Sequence, residues 1–395
     1  MTELNSLLDE VEDRVRKGEN RIVASNDLAG LRELHFELTY QCNEQCIMCD
    51  VWPRYRNNPE EKAKELTSEE IYKFVSGSEY LKDLNMVLFS GGEPFLRKDL
   101  PELCQFFINR HKQISVGILS NLFATDLILK NVIRIKEYKP YNFWIGSSID
   151  GIGETHDEIR GTKGCFSALE KSITVLRKEH PDVGLSLNFT ITTKNYQELE
   201  KAYDYAKGHG LNFSAQFAVP WEKAEKFSWS KEELTSAKET IYRILEKMVK
   251  DYDELKASRP LDNGTNENNY RQLLATLFYW KGLVDYQEKP SRRFKRCAAG
   301  THFAQVSPIG DLYFCPLLKN RAVGNIRDAQ FDFDAIWTSS DAQNLREFVC
   351  KGSCHCWLNC TIYPNIQDSL GSASASFRQK LVQFGGRIFN KLKAS

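Results

Sequence analysis

Two patterns of hydrophobic and polar positions alternate along the chain, and together they predict alternating strands and helices. Short apolar runs of strand length recur between about Leu34 and Val219, and longer segments with helical periodicity separate them. The strand-like runs begin at His35, Met86, Ile114, Phe143, Leu185 and Phe213. Because parallel neighbours need a crossover connection, strands that alternate with helices predict an α/β fold with a parallel sheet.

The pattern outside this region divides the chain further. Residues 1–28 carry apolar residues at helical spacing, and we expect one amphipathic helix there. The strand-and-helix region then covers residues 29–221, a helical connector covers residues 222–296, and a cysteine-rich domain covers residues 297–366. Residues 367–395 begin with a Gly/Ser/Ala stretch typical of a flexible linker and end in a basic amphipathic tail.

Composition narrows the class of protein. The chain has 395 residues, of which 42% are hydrophobic, and this is typical of a globular protein. Its 53 basic and 53 acidic residues cancel, so overall charge favours no nucleic-acid partner. No apolar run approaches the ~20 residues that span a bilayer, and no signal peptide is recognisable. We therefore expect a cytoplasmic protein, with the basic tail either docked or in peripheral contact with a membrane.

The cysteines carry the clearest chemical signal. Nine of the eleven form two groups: Cys42, Cys46 and Cys49, and then Cys297, Cys315, Cys350, Cys354, Cys356 and Cys360. In a reducing compartment such clusters indicate metal, and thiolates favour zinc or iron–sulfur clusters. The first group supplies three thiolates from one loop after the first strand. Three thiolates on a four-iron cluster leave one iron open to a substrate or cofactor, which is a catalytic arrangement.

Further candidates follow the ends of the next strands. The carboxyl ends of parallel strands meet at one edge of a sheet, where binding sites gather. The candidates at that edge are Gly91, Gly92, Glu93, Ser120, Asn121, Ser147, Asp150 and Asn188, with Arg160 downstream. Cys104 and Cys165 stand alone, and we interpret them as core thiols or as hydrogen donors.

Several motifs together resemble those of the radical S-adenosylmethionine (SAM) enzymes. The loop Cys42-Asn43-Glu44-Gln45-Cys46-Ile47-Met48-Cys49 resembles their CxxxCxxC motif, and Gly91-Gly92-Glu93-Pro94 resembles their second-strand motif. Residues 147–151 resemble their ribose loop. His156-Asp157-x2-Arg160-Gly161 is similar to the sequence that follows it in members with a SPASM domain. Cys297-x12-Gly310-x4-Cys315 is similar to the opening of the SPASM/twitch motif. The resemblance covers residues 34–364.

The resemblance implies a fold and an activity. The fold is a partial (β/α)6 TIM barrel followed by a small cysteine-rich SPASM/twitch-like α+β domain. The implied activity is that of a radical SAM oxidoreductase or maturase, in which a [4Fe-4S] cluster on the first cysteine group cleaves SAM reductively. The 5′-deoxyadenosyl radical then abstracts hydrogen from an unactivated carbon of the substrate. A flavodoxin- or ferredoxin-type protein is the implied electron donor.

The resemblance also implies roles for single residues. Gly91 and Gly92 hold the methionyl ammonium with Glu93 in support, and Arg160 binds the methionyl carboxylate. Ser147, Asp150 and Asn188 are candidates for the ribose, and Ser120 and Asn121 are further cofactor contacts. Cys297 and Cys315 bind at least one auxiliary [4Fe-4S] cluster for electron transfer or substrate binding. Spacing leaves open which of Cys350, Cys354, Cys356 and Cys360 complete it, and whether there are one or two clusters.

The substrate is less constrained than the cofactors. Roughly 30 residues precede the first strand, fewer than a leader-binding domain needs, and this slightly favours a small-molecule, sugar or lipid-linked substrate. A peptide- or protein-modifying maturase is the alternative within the family. A non-catalytic zinc protein is the alternative from another class, because paired cysteines also suit tetrahedral zinc.

Overall fold

The computed structural model describes residues 9, 12–13, 30–222, 224–258, 263–293, 297–351 and 354–371. Most of the expected N-terminal helix and all of the basic tail from residue 372 lie outside the described residues. The chain divides into two compact units. A sheet unit comprises Leu28–Trp229 and Ala299–Glu347, and a helical unit comprises Met1–Asp27, Ser230–Ala298 and Phe348–Ser395.

The sheet unit is built on one nine-stranded sheet. In chain order its strands are β1 Glu33–Thr39, β2 Met86–Gly91, β3 Ser115–Leu119, β4 Asn142–Ser148, β5 Gly184–Ile191, β6 Asn212–Phe217, β7 Phe303–Val306, β8 Asp311–Tyr313 and β9 Gly324–Asn325. Their spatial order is β6-β5-β4-β3-β2-β1-β7-β8-β9. Strands β1 to β7 pair in parallel, while β8 and β9 are antiparallel to their neighbours. The predicted α/β fold with a parallel sheet is confirmed.

The described residues form twelve α-helices. In chain order they are α1 Pro53–Asn57, α2 Ser68–Ser76, α3 Leu100–Arg110, α4 Thr125–Glu137, α5 Glu154–Arg160, α6 Cys165–Glu179, α7 Leu199–Gly208, α8 Lys231–Ser258, α9 Asn263–Glu288, α10 Phe333–Trp337, α11 Ser340–Cys350 and α12 Asn359–Gly371. Among these helices, none has both the length and the apolar character that a bilayer crossing requires.

Alternation along the strands gives the sheet two different faces. On one face, Phe36 of β1 and Phe89 of β2 pack on Phe107 of α3, with ring centroids 5.8 Å apart in both pairs. We call this the helix face, and we call the opposite one the open face. Along β5, helix-face residues are buried and the open-face residues between them are half-buried. The hydrophobic core of the sheet unit therefore lies on the helix face.

The cysteine-rich segment adds its first hairpin to the same sheet. Strand β7 pairs in parallel with β1, with Gln305 opposite His35, and β8 turns back antiparallel to β7. The sequence analysis placed this segment in a separate domain of residues 297–366, but its strands β7 and β8 belong to the main sheet. An edge strand such as β1 leaves a row of backbone N–H and C=O groups unpaired, and β7 satisfies them.

Aromatic residues of the connector form the core of the helical unit. Phe278, Tyr279 and Trp280 of α9 are all buried. The Trp357 indole stacks on Tyr279 and donates its Nε1 hydrogen to the Tyr279 carbonyl oxygen at 2.8 Å. The same indole covers Gly282, where a Cβ atom would lie 1.8 Å from Trp357 Cζ2. Glycine at this helical position is therefore required by packing.

We expect Gly282→Ala to destabilise the protein by about 1–3 kcal/mol, because the added methyl group overpacks the site. Gly208→Ala is the matched control, since nothing lies within 4 Å of a Cβ atom there. Removing helical glycine at an open position should leave stability unchanged or raise it by roughly 0.5–1 kcal/mol. Urea unfolding of the full chain measures both variants, and equal midpoints for the two would contradict the packing argument.

Candidate active site

The three cysteines of the first group lie on the loop that follows β1: Cys42, Cys46 and Cys49. Two backbone hydrogen bonds hold this cysteine loop on α5, from Gln45 N to Arg160 O and from Ile47 N to Ile159 O, each 3.0 Å long. Gly161 ends α5 with a φ of 61°, and a Cβ atom there would lie 2.4 Å from Gln45 O. The absence of a side chain at Gly161 therefore lets the loop lie directly on the end of α5.

Of the three thiols in this loop, that of Cys46 is buried, and those of Cys42 and Cys49 are half-buried. Cys46 is buried and packs with Met48 and Ile159. Burial raises the pKa of all three thiols, that of Cys42 to about 12, and nearby carboxylates add to the effect. Among the described residues, no three Cys, His, Asp or Glu side chains are placed to hold a single metal ion. In a four-iron cluster each thiolate binds a different iron, so the thiolates are spread more widely than around one ion.

A buried guanidinium connects the cysteine loop with the loop after β4. Arg160 Nη1 donates to Glu44 Oε2 at 3.3 Å and to Cys46 Sγ at 3.4 Å. Arg160 Nε lies 2.8 Å from Asp150 Oδ2, in an ion pair that is not aligned as a hydrogen bond. Asp150 is fully buried, and its Oδ1 accepts from Thr190 N at 2.6 Å. Burial raises the pKa of both carboxyl groups, while Arg160 opposes that rise.

Gly91 and Gly92 bring the end of β2 against the start of the cysteine loop. Gly92 N donates to Thr39 O at 2.7 Å, and Glu93 N donates to Gln41 O at 2.8 Å. A Cβ atom on Gly92 would lie 2.1 Å from Gln41 O. These glycines therefore let the end of β2 lie close to the backbone that leads into the cysteine loop. Their contact with a cofactor stays a prediction.

Glu93 organises the loop after β3. Its buried carboxylate accepts hydrogen bonds from Ser120 Oγ at 3.1 Å and from Asn121 N at 2.8 Å. Asn121 Nδ2 in turn donates to Asn43 Oδ1 at 2.7 Å and lies 3.9 Å from Cys42 Sγ. Burial raises the pKa of Glu93 to about 7, although these donors lower it. Glu93 therefore positions Ser120 and Asn121 against the cysteine loop.

The fourth strand places its two serines on opposite faces. Ser147 is buried on the helix face, and its Oγ atom has no hydrogen-bond partner within the described chain. Ser148 is half-buried on the open face, opposite Asn188 of β5, whose Oδ1 accepts from Ser214 Oγ at 2.9 Å. The ribose roles of Ser147, Asp150 and Asn188 stay predictions. Strand alternation was the signal that could have indicated Ser148.

Glu44 and His156 appear in the sequence analysis only within quoted motifs, and neither is a candidate site residue there. Glu44 is 1% exposed, and its Oε1 atom is buried without a hydrogen bond in the described residues. An acidic residue between two thiols that are predicted to bind metal is electrostatically costly, and that cost was the available signal. His156 accepts a hydrogen bond from Asp150 N at its Nδ1, 3.0 Å away. Burial lowers the pKa of His156 to about 3, so it braces the loop as a neutral ring.

The two isolated cysteines lie in structured, buried positions. Cys104 is fully buried in α3, and burial raises its pKa. Cys165 begins α6, and its thiol donates to Asp157 Oδ1 at 3.2 Å. Asp157 also accepts from Phe166 N at 2.9 Å, so it caps the start of α6. The role of either thiol as a hydrogen donor stays a prediction.

The second cysteine group is divided between the two units. Cys315 is buried directly after β8 in the sheet unit. The helical unit holds the others: Cys297, Cys350, Cys354, Cys356 and Cys360. Cys356 Sγ lies 3.1 Å from Thr361 Oγ1, and burial raises its pKa. No disulfide joins any of the eleven cysteines, all of which lie among the described residues. The ligand set of the auxiliary cluster stays a prediction.

A cleft of about 390 Å³ opens at the cysteine loop. Its lining consists of the end of β1, the first half of the loop and three residues around α1, namely Tyr40, Gln41, Cys42, Asn43, Glu44, Gln45, Trp52, Tyr55 and Arg56. Its volume is within the range of small-molecule sites. The cysteine loop is therefore accessible from a concave surface.

Comparison with known proteins identifies two segments of the chain. Residues 36–206 match the family model of the Radical SAM superfamily, and residues 297–361 match that of an iron–sulfur cluster-binding domain, SPASM. The chain is 28% identical over 330 residues to the AdoMet-dependent heme synthase of Methanosarcina barkeri, which covers 82% of this chain and 87% of that protein. It is 24% identical over 336 residues to the mycofactocin maturase MftC of Mycobacterium tuberculosis, covering 81% and 74%.

A solved structure supports the fold. The crystal structure of SuiB from Streptococcus suis superposes with a TM-score of 0.54 at 17% identity, covering 82% of this chain and 69% of that chain. This likeness concerns the fold alone. Together with the matched family models, it confirms the expected partial TIM barrel followed by a SPASM domain.

We expect Arg160→Met to destabilise the protein by about 3–5 kcal/mol, because it leaves the buried carboxylates of Glu44 and Asp150 without their cation. Arg134→Met is the matched control, since Arg134 pairs with Glu102 at the surface. Exposed pairs contribute about 0–1 kcal/mol. Urea unfolding compares the variants. A loss at Arg160 no larger than that at Arg134 would show that Arg160 does not hold the two loops together.

The raised pKa of Glu93 makes stability depend on pH. A carboxyl group whose pKa is higher in the folded chain stabilises the fold while it is protonated. That stability is lost as pH rises from the ordinary pKa of 4.5 through about 7. Relative to Glu93→Gln, the wild-type free energy of unfolding should therefore fall over this interval. Unfolding curves at a series of pH values provide the measurement, and parallel profiles for the two proteins would refute the assignment.

Proposed function

This chain is a radical SAM protein with a C-terminal SPASM domain, and on that premise we propose that it abstracts a hydrogen atom from a carbon of a small-molecule substrate. The radical SAM domain implies SAM and a [4Fe-4S] cluster, and the SPASM domain implies auxiliary iron–sulfur clusters. When bound, the first cluster and SAM supply one-electron cleavage of a carbon–sulfur bond and an organic radical that takes the hydrogen atom.

The convergence of strand-end loops on the cysteine loop is the observation that carries this proposal. Arg160 connects the loop after β4 to Glu44 and Cys46. Asn121 connects the loop after β3 to Asn43. In this proposal Cys42, Cys46 and Cys49 each bind one iron of the cluster. Three thiolates leave the fourth iron without a protein ligand, and SAM would bind there.

Unpaired polar atoms at the site fit a bound cofactor. Glu44 Oε1 and Asp150 Oδ2 are buried and accept no hydrogen bond among the described residues. Buried polar groups without partners are costly, and a ligand's amino or hydroxyl groups would satisfy them. The proposed contact set adds Glu44 to the candidates of the sequence analysis. Those candidates are Gly91, Gly92, Glu93, Ser120, Asn121, Ser147, Asp150, Arg160 and Asn188.

Apolar packing excludes water from one side of the cysteine loop. Met48 and Ile159 are buried against Cys46, and Ala218 and Phe227 pack on this cluster. A dry environment suits a reactive radical, because water would otherwise offer side reactions. We propose that this packing protects the chemistry. Arg160 would partly offset the negative charge of the cluster thiolates, since it already donates to Cys46 Sγ.

For the second cysteine group we propose one auxiliary cluster bound by Cys297, Cys315 and two of the last four cysteines. It would serve electron transfer or substrate binding, with a flavodoxin or ferredoxin as reductant. The heme synthase relative, aligned over 87% of its length, supports a small-molecule substrate. The maturase relative supports a peptide substrate as the second candidate. A cytoplasmic location is part of this proposal.

The test combines iron content with SAM cleavage in anaerobically reconstituted protein. Replacing Cys42, Cys46 and Cys49 together by Ala should abolish 5′-deoxyadenosine formation and remove the iron of one cluster. Leu127→Ala, at an exposed position on α4, is the control and should keep both. Replacing Cys297 and Cys315 by Ala should lower iron content and leave the first cluster's paramagnetic signal. Cleavage that persists in the triple variant would reject the proposed function.

A further inference from the structure

A buried carboxylate on the open face holds an alkylammonium group. Glu37 of β1 follows Phe36, whose side chain lies on the helix face, so that of Glu37 lies on the open face. Its Oε1 atom lies 2.7 Å from Lys319 Nζ, and that ammonium also lies 5.6 Å from the centre of the Trp221 ring. A carboxylate and the face of an indole together suit an ammonium group. Lys319 therefore shows which functional group this position accepts.

The position offers more acceptors than Lys319 uses. Glu37 is 6% exposed, and its Oε2 atom is buried without a hydrogen-bond partner in the described chain. Gln305 of β7 is 4% exposed, and its Oε1 atom is in the same state. Gln305 pairs with His35, two residues before Glu37, so the two acceptors lie on neighbouring strands of the same face. Buried acceptors without donors are costly, so a ligand group with several N–H donors fits this position.

The sign of the charge on the open face also favours a cation. Within the described strands, the acidic and basic side chains of this face are all carboxylates: Glu33, Glu37 and Asp311. The cation of Lys319 is brought to Glu37 from the loop after β8. The face itself therefore carries negative charge, and an anionic ligand would be repelled.

An apolar surface lies within reach of Glu37 on the same face. Glu37 pairs with Ser90 of β2, and the β2–β3 register, carried one residue beyond Phe89 and Ile118, places Leu119 beside Ser90. Leu119 is 41% exposed, although β3 is a central strand. Neighbouring strands are about 4.8 Å apart, so Leu119 and Glu37 are separated by roughly 10 Å. Between them this row carries only the small side chain of Ser90.

We propose that the open face binds the substrate as an alkylamine, whose ammonium group replaces that of Lys319 on Glu37. The ammonium would donate to Glu37 and to Gln305 Oε1, and the carbon skeleton would extend over Ser90 to Leu119. Glu37 has one cation before and after this exchange, so no buried charge is left unpaired. The Lys319 side chain is 16% exposed and can turn its ammonium into water. This inference rests on the proposed function and names the substrate class of the same enzyme.

Saturation-transfer NMR on the full, reconstituted chain with SAM tests the proposal at pH 7, where alkylamines are protonated. The probes are cyclohexylamine and n-pentylamine, with cyclohexanol and 1-pentanol as neutral comparators of the same shape. Nα-acetyl-L-lysine methylamide presents the same group on a peptide, and its affinity relative to the free amines identifies the source of the amine. We expect at least one amine to bind, and its neutral comparator to bind at least about tenfold more weakly, because the neutral group does not replace the displaced cation.

Two substitutions should change amine binding in opposite directions. Glu37→Gln should weaken it by at least about tenfold, because the carboxylate is lost. Lys319→Met should strengthen it by at least about tenfold, because an ammonium tethered to the chain competes at high effective concentration. Glu79→Gln and Lys82→Met are the matched controls, since these residues form an exposed pair at 2.7 Å, and both should bind the amine as the wild type does.

Thermal unfolding shows whether each variant is folded. The same measurement is a second test, because added cyclohexylamine should raise the unfolding temperature of Lys319→Met more than that of the wild type. Lys319→Gln, which keeps an N–H donor for Glu37, replaces Lys319→Met if the latter does not fold.

Four results would overturn the inference: no amine binds, the neutral comparators bind as tightly as the amines, Glu37→Gln behaves like Glu79→Gln, or the Lys319 variant binds the amine no more tightly than the wild type. These failures are separable from failure of the proposed function. SAM cleavage and iron content are measured in the same preparations, and cleavage that persists in the triple-cysteine variant would reject the radical chemistry. Normal cleavage together with any of the four results would reject only the substrate class.

Discussion

The candidate site depends on one buried cation between two buried carboxylates. Arg160 contacts Glu44 in the cysteine loop and Asp150 after β4, and it also donates to Cys46. A lone buried charge is very costly, so each of these groups is tolerable only because the others are present. The loop that carries the cysteines, the end of α5 and the loop after β4 are therefore stabilised as one assembly.

The two faces of the sheet have different roles: the helix face contributes stability, and the open face is available for binding. Aromatic and aliphatic side chains of the helix face, such as Phe36 and Phe89, form the core with α3. The open face, by contrast, packs less tightly, and its serine, asparagine and glutamine side chains are half-buried. Since the residues of the two faces alternate along the same strands, the core fixes the spacing of the groups that face a ligand.

The sequence was most informative where the signal is local. The apolar runs predicted six strands within a few residues of their bounds, and the spacing of Cys42, Cys46 and Cys49 indicated the cysteine loop. Contacts between distant segments were not predictable in this way. The pairing of β7 with β1 depends on which strand edge is free, and the role of Glu44 depends on Arg160, which lies far along the chain. Alternation along β4 could also have placed Ser147 and Ser148 on opposite faces, but the sequence analysis named only Ser147 as a candidate.

The β7–β8 hairpin has a consequence for the two cysteine groups. Cys42 comes shortly after β1, Cys315 comes shortly after β8, and both strands belong to one hydrogen-bonded sheet. Two residues separate β1 from Cys42 and one separates β8 from Cys315, so each cysteine closely follows its strand. If Cys315 binds a cluster as proposed, the sheet that carries β1 and β8 would help to set the tunnelling distance between that cluster and the first one. The length of the hairpin would then influence the rate at which the two clusters exchange electrons.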